Sequence, residues 1–295
     1  MKINNPSFEI WEQGSGIDGI YRQVERAGRV CYKSEDHQTE DSARPFVNRM
    51  IQSLHTAMLE HATVYLQAVG NPNPLEKYRH DRFSRVNDAV GEALAVTTNL
   101  RVLVQNGWMD DLDRYLCEPT PYHERRVTVH FTTQVAITRE FNRHRANSMA
   151  EQSTRYCNYS KAKFGNEITI NLPTWVESLQ GSTLQAGEAS LSETAFLALA
   201  KKVTEGSAAD YENWLFANLA AEKAYMNLIA AGRKPQEARV ILPLDTNTEL
   251  VHTAFLSDWL HFFDLRALGT TGAPHPDAKA IAMPLYEAFK EKGWI

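Results

Sequence analysis

The sequence has no apolar run approaching the ~20 residues that span a bilayer, and its opening stretch MKINNPSFEIWEQ carries no apolar signal core. A soluble, cytoplasmic protein is the expectation. Cysteine is scarce as well: Cys31, Cys117 and Cys157 are odd in number, far apart and without a CxxC pair, which excludes a disulfide scaffold or a zinc knuckle. Ten histidines include no HExxH, and His55 and His61, six apart, do not share a helical face, so no metal site is expected. Basic charge is not in excess: 31 Lys and Arg face 36 Asp and Glu, a net charge of -5, which argues against a protein that attracts a nucleic-acid backbone over its whole surface. Internal repeats, low-complexity tracts and interdomain linkers are absent too. What is present is 295 residues with 43% hydrophobic content, enough for one sizeable core. The reading is a single domain over 1–295, with a polar, arginine-rich stretch at about 70–126 that looks like an insert.

Periodicity places the elements. Ser7 to Gln13 alternates as a strand, and Gly19 to Val30 has helical spacing. Phe46 to Met58 reads as an amphipathic helix and Thr63 to Val69 as a strand that Asn71-Pro72-Asn73-Pro74 stops. Ala89 to Gln105 reads as largely helical. Val127 to Thr133 alternates as VTVHFTT, and Gln134 to His144 continues as a helix into a loop. Further helices are expected over Leu191 to Thr204, Ala208 to Ala231, Pro235 to Ile241, Thr248 to Leu268 and Pro276 to Lys290.

Two local patterns carry chemistry. Gly14, Gly16 and Gly19 match GxGxxG between a strand and a helix, the arrangement that brings a backbone to a pyrophosphate. The strand before it, FEIWEQ, is too polar for the centre of a parallel sheet, and a polar loop follows the helix. A tight turn is therefore the preferred reading, and a Rossmann-type NAD oxidoreductase the alternative. The second pattern is the stretch from Arg139 to Arg155, which gathers Arg139, Arg143, Arg145, Arg155 and His144 beside Ser148, Ser153 and Thr154. Planar guanidinium donors with hydroxyls and loop amides suit an anionic ligand. A solvated basic face paired with Glu140 and Glu151 is the bland alternative. A nucleic-acid-binding module is the third reading, disfavoured by the acidic total charge.

The segment RHRANSMAEQSTRY, Arg143 to Tyr156, fits RHRxxSxxxxSxR at all six fixed positions and so resembles the signature of flavin-dependent thymidylate synthases. Similarity extends to AGRVCYKS around Cys31, HTAMLEH from His55 to His61, EARVILP from Glu237 to Pro243 and SDWLHFFDLR from Ser257 to Arg266. The stretch between Val69 and Val127 resembles an insertion of one family branch.

This resemblance implies a mixed α+β fold with an antiparallel sheet and long helices, and a homotetramer with FAD at subunit interfaces. It implies reductive methylation of dUMP to dTMP, with methylenetetrahydrofolate as carbon donor and NADPH as reductant. By position, His55, Arg143, His144, Arg145, Glu151 and His261 would face FAD. Glu140, Arg143, Glu151, Gln152, Ser153, Thr154, Arg155, Arg239 and Arg266 would face dUMP, with Arg266 acting on the uracil ring. Glu140 stands where some members have glutamine, and His261 where an asparagine is usual. Phe255, Leu256 and Ser257 replace a stretch that carries an asparagine and an arginine for flavin, so contact there would be through backbone or stacking. The cysteine nucleophile of the other class of thymidylate synthase stands in a Pro-Cys-His type context that neither Cys117 nor Cys157 shares.

Overall fold

The computed structural model describes residues 1–179 and 184–295. Its centre is an antiparallel four-stranded sheet in the order β2 (Ser7–Trp11), β6 (Arg126–Gln134), β10 (Asn247–Phe255), β7 (Ser148–Glu151). A second antiparallel sheet runs β3 (Thr63–Val69), β5 (Ala93–Asn99), β4 (Arg85–Ala89). A small third sheet sets β1 (Lys2–Asn4) between a parallel β8 (Thr169–Asn171) and an antiparallel β9 (Gly187–Glu188). Helices Gly16–Val30, Glu193–Thr204, Asp210–Ala230 and Pro276–Glu291 supply the longer rods. The mixed α+β architecture with antiparallel sheets and long helices is the expected one.

Four sequence expectations are corrected. Thr248 to Leu268 is not one helix: Asn247–Phe255 is the strand β10, followed by helix Leu256–Phe263 and a π-helical turn, Asp264–Leu268. Every residue from Thr248 to Phe255 is buried. A strand covered on both faces has no alternation, so its pattern cannot be told from that of a buried helix. Ala89 to Gln105 is likewise not one helix: Ala89 ends β4 and Ala93–Asn99 is β5. Gly91 and Glu92 both take positive φ (80° and 52°) and fold β4 onto β5 as a hairpin. The helix there begins only at Leu100, where the Asn99 side chain accepts from the Val102 amide. Phe46 to Met58 breaks at Gln52, because Leu54 adopts φ 58° and the amides of Leu54 and His55 bond back to the carbonyls of Ile51 and Met50. His55 is thereby set in a turn. Finally, the signature segment is not all loop, since Ser148–Glu151 pairs with β10.

The glycine pattern is a turn. β2 is an edge strand antiparallel to β6, without a parallel partner, and a Cβ on Gly19 would lie 1.8 Å from the carbonyl oxygen of Gly14. Close backbone approach explains the glycine, and the dinucleotide reading of Gly14 to Gly19 is withdrawn. The 70–126 stretch packs into the body of the protein: Leu75, Tyr78, Leu94, Val96, Leu100 and Leu103 share one core with helix Gly16–Val30 and β3.

An aromatic core joins the central sheet to the C-terminal helices. Phe262 is fully buried, with ring centroids 4.9 Å from Phe141, 5.1 Å from Trp259 and 4.9 Å from His144. Such tilted and edge-on packing adds to the gain from burial. Phe262→Ala is expected to lower unfolding free energy by about 3–5 kcal/mol, read from denaturant melts. A loss under about 1 kcal/mol would show that this core does not hold the sheet to the helices.

Candidate functional site

Three of the expected residues form one cluster. Arg266 lies in the π-helical turn that Gly269, at φ 72°, closes; such wide turns recur at functional positions. Its Nε donates to His144 Nε2 at 3.1 Å, its Nη1 pairs with the Glu140 carboxylate, and its Nη2 donates to the Glu140 carbonyl at 2.8 Å. Glu140 thus finds a cation within the protein. The three bonds use three of five guanidinium N–H groups, and Arg266 keeps 14% of its side-chain surface open. The His261 ring lies 5.6 Å from that of His144.

His144 must be neutral here. Arginine can only donate, so Nε2 has to offer a lone pair. Burial, the Arg266 charge and His261 together push its pKa down to about 4. Two further buried histidines behave alike. His61, bonded to Thr253 at 2.9 Å, is lowered to about 3 by burial and Arg126, and His252, beside Asn147 at 3.3 Å, to about 3 by burial and the neighbouring histidines.

A second cluster lies at the end of the signature. Ser153 donates its amide to the Cys31 carbonyl (2.9 Å), and its Oγ accepts from the Arg155 amide (3.3 Å). Arg239 Nη1 donates to Thr154 Oγ1 (3.3 Å), while Arg155 Nε donates to Gln236 Oε1 (3.2 Å). Two exposed guanidiniums and two hydroxyls therefore converge from segments some 85 residues apart in the chain. Gln236 escaped sequence reading, although it stands three residues before Arg239 on the same short helix-and-turn. Gln152 is buried, and its Oε1 has no partner among the described residues. A buried acceptor without a donor points to a ligand or water.

Glu151 lies between these clusters and accepts from Thr138 Oγ1 (2.7 Å) and Asn142 Nδ2 (2.9 Å). Arg143 is exposed. Arg145 lines a separate cavity of about 440 Å³ with Arg126, Ser148 and Phe255. Ser257 is instead held by Glu124, its Oγ donating at 2.6 Å. His55 lines another cavity, about 460 Å³, with Gly28, Tyr32, Phe46, Met50 and Met58. Both volumes fall in the range of small-molecule sites, the one basic and the other largely apolar.

Lys33, Glu249 and His130 form a partly buried polar chain that sequence reading also missed. Lys33 Nζ pairs with Glu249, Glu249 accepts from His130 Nε2 at 2.9 Å, and the Glu249 carbonyl receives the Gln152 amide at 2.8 Å. Nothing in local spacing links residues 33, 130 and 249. Burial raises the thiols of Cys31 and Cys117 to about 11 and pushes Cys157 up as well, so none is an activated nucleophile. Among the described residues no His, Cys, Asp and Glu cluster could hold a metal ion, and no helix is long and apolar enough to cross a membrane.

The three histidines set a pH dependence. Their folded values lie below the ordinary 6.5, so the unfolded chain binds more protons and stability falls as pH drops through about 6.5 towards about 4. Each is expected to contribute a slope of about 1 kcal/mol per pH unit, checked by urea melts at pH 7, 6 and 5. Unchanged stability over that window would mean that these rings are not held neutral.

Comparison with known proteins follows the same lines. The chain is 32% identical over 83 residues to a flavin-dependent thymidylate synthase of Corynebacterium aurimucosum, a match covering 27% of this chain and 33% of that protein. It is 24% identical over 219 residues to one from Thermosipho melanesiensis, covering 71% and 86%. A crystal structure of the UMP/dUMP methylase PolB from Streptomyces cacaoi, bound with 5-Br dUMP, aligns over 99% of this chain and 93% of that one, at a TM-score of 0.41 and 17% identity. A sequence profile described as Thymidylate synthase complementing protein matches residues 94–292, and the chain belongs to that family.

Proposed function

We propose that the protein methylates dUMP to dTMP with FAD as cofactor, methylenetetrahydrofolate as carbon donor and NADPH as reductant, acting as a homotetramer with sites between subunits, in the cytoplasm. The observation that carries this reading is the convergence, around one signature segment, of a neutral-histidine-held Arg266 and a Ser153, Thr154, Arg155 and Arg239 cradle. A methylene unit must gain a hydride to become methyl, so this reaction needs a reductant.

The residues fit a flavin dinucleotide. The cavity at His55 offers Tyr32, Phe46, Met50 and Met58 to a ring system, and the cavity at Arg145 offers guanidinium donors to phosphate. When bound, FAD supplies hydride chemistry that no side chain here can. His144, Arg143, Glu151 and His261 would border it.

For the nucleotide, Ser153, Thr154, Arg155 and Arg239 would hold the phosphate, with Gln236 orienting Arg155. Binding energy there is spent on orienting the distant ring. Gln152 Oε1, buried without a partner among the described residues, would accept from the nucleotide. Arg266 would direct its two remaining N–H groups at the uracil, stabilising negative charge as it develops on N3 and the adjacent carbonyl oxygens. Glu140 and His144 are positioning residues for it. Glu140 cancels its charge until substrate arrives, and a neutral His144 accepts from Nε without adding a second cation. The raised thiols fit a route without a cysteine nucleophile.

Arg266→Ala is expected to abolish dTMP formation while the purified protein stays yellow with FAD; near-normal turnover would remove Arg266 from the mechanism. Arg155→Ala is expected to weaken dUMP binding by about 1.5–3 kcal/mol, the worth of one charge-assisted hydrogen bond, in a calorimetric titration. Unchanged affinity would count against the phosphate cradle.

A further inference from the structure

The Glu151 carboxylate is gripped by neutral donors alone. Thr138 Oγ1 donates to its Oε1 at 2.7 Å and Asn142 Nδ2 to its Oε2 at 2.9 Å, and among the described residues no lysine, arginine or histidine pairs with it. Both donors come from the end of one short helix, Val135–Phe141. Thr138 and Asn142 stand four apart, and the Asn142 amide donates to the Thr138 carbonyl at 2.8 Å, so hydroxyl and carboxamide share a face. On the other side, pairing of Glu151 with Leu250 fixes the backbone. The carboxylate is therefore pinned at both oxygens. Each oxygen has lone-pair capacity beyond the one bond it receives, and the side chain is only partly buried.

The clamp is held at a cost to the fold. Asn142 has to turn Nδ2 towards Glu151, because Oδ1 there would set two acceptors together. That orientation leaves Oδ1 buried and without a partner among the described residues, which lowers stability. A leucine would fill the same place without an unmatched acceptor. Thr138 is fully buried, and its hydroxyl also lies 3.1 Å from the Val135 carbonyl, farther than from Glu151. A valine of the same shape would pack as well. Polar side chains kept where apolar ones would serve packing better mark a function, and here both point at one carboxylate.

The position of the clamp says what Glu151 faces. Glu140, two residues before Asn142, holds Arg266, the group placed at the uracil. Ser153, two residues beyond Glu151, opens the phosphate cradle with Thr154, Arg155 and Arg239. Glu151 lies between the two, as the sugar of a nucleotide lies between base and phosphate. A sugar offers hydroxyl donors, and a carboxylate is the acceptor that reads such hydroxyls in nucleotide sites.

We propose that Thr138 and Asn142 are positioning residues for the sugar of the nucleotide, holding the Glu151 carboxylate where it accepts the 3′-hydroxyl. The assignment rests on the uracil-nucleotide reading above. It gives a role to two residues that stand ahead of the signature segment and that no motif picks out. Their contribution appears only with a ligand that carries the hydroxyl, since neither side chain touches the nucleotide itself.

The test is calorimetric titration of the full-length protein with dUMP and with 2′,3′-dideoxyuridine 5′-monophosphate, which lacks the hydroxyl, for wild type, Asn142→Leu, Thr138→Val and Thr138→Ser. Wild type is expected to prefer dUMP by about tenfold or more, the worth of a hydrogen bond to a charged group. Asn142→Leu is expected to bind dUMP as weakly as the dideoxy compound, with affinity for the latter unchanged and a melting temperature no lower than that of wild type. Crossing removal of the clamp with removal of the hydroxyl isolates their coupling. Thr138→Val is expected to lose much of the preference, and Thr138→Ser, which keeps the hydroxyl, to retain it. That pair decides the matter if Asn142→Leu does not fold. Equal weakening of both ligands by Asn142→Leu and Thr138→Val, or a full preference for dUMP in both variants, would overturn the proposal and leave the nucleotide site standing. A wild type that binds neither ligand would overturn the nucleotide reading, and the proposal with it.

Discussion

Strand β10 is hydrogen-bonded along both edges, to β6 and β7, and from Thr248 to Phe255 it is buried along its length. The parts of the candidate site hang on it. Its β7 edge fixes Ser148 to Glu151, so the signature arginines fall at one end of that short strand and the hydroxyl cradle at the other. Its C-terminal end runs directly into helix Leu256–Phe263 and the π-helical turn that carries Arg266. Two segments more than 100 residues apart thus meet through a single backbone ladder. The aromatic core around Trp259 and Phe262 then prevents that helix from rotating away.

Charge in this region is managed by keeping histidines uncharged. His61, His144 and His252 are buried, His61 near Arg126, His144 near Arg266 and His252 near the other two histidines, and each environment opposes a further cation. His144 uses its neutrality directly, as an acceptor that orients Arg266. The arginines themselves differ in state. Arg266 is tied by three bonds, Arg155 and Arg239 are exposed and lightly held, and Arg126 is buried with two unmatched nitrogens. Those states differ in how much freedom each guanidinium keeps and in how far its donors are satisfied.

The 70–126 stretch, read as an insert, packs into the body of the protein. Its hairpin completes the β3 sheet, and Arg82, Arg85 and Arg126 line the same cavity as Arg145. In the linear sequence those arginines look like an ordinary solvated surface. Only the packing of Phe83 and Arg85 near Phe255 and Arg126 gives them a shared direction.

The sequence by itself determined the family, the amphipathic helices and the half-buried strands, because a fixed motif and a one-sided apolar face both leave a local record. RHRANSMAEQSTRY, the Thr63–Val69 strand and helix Gly16–Val30 were legible for that reason. Tertiary structure alone decided β10, whose uniform burial erases periodicity, and the turn at Leu54 that sets His55, where a left-handed leucine stands in place of the usual glycine. It also decided which charges meet. The pairing of Glu140 with Arg266, the chain from Lys33 through Glu249 to His130, and the unmatched guanidinium of Arg126 each depend on distances between residues far apart in sequence. Spacing carries no information about such distances until burial has folded the chain and removed the water that would otherwise screen them.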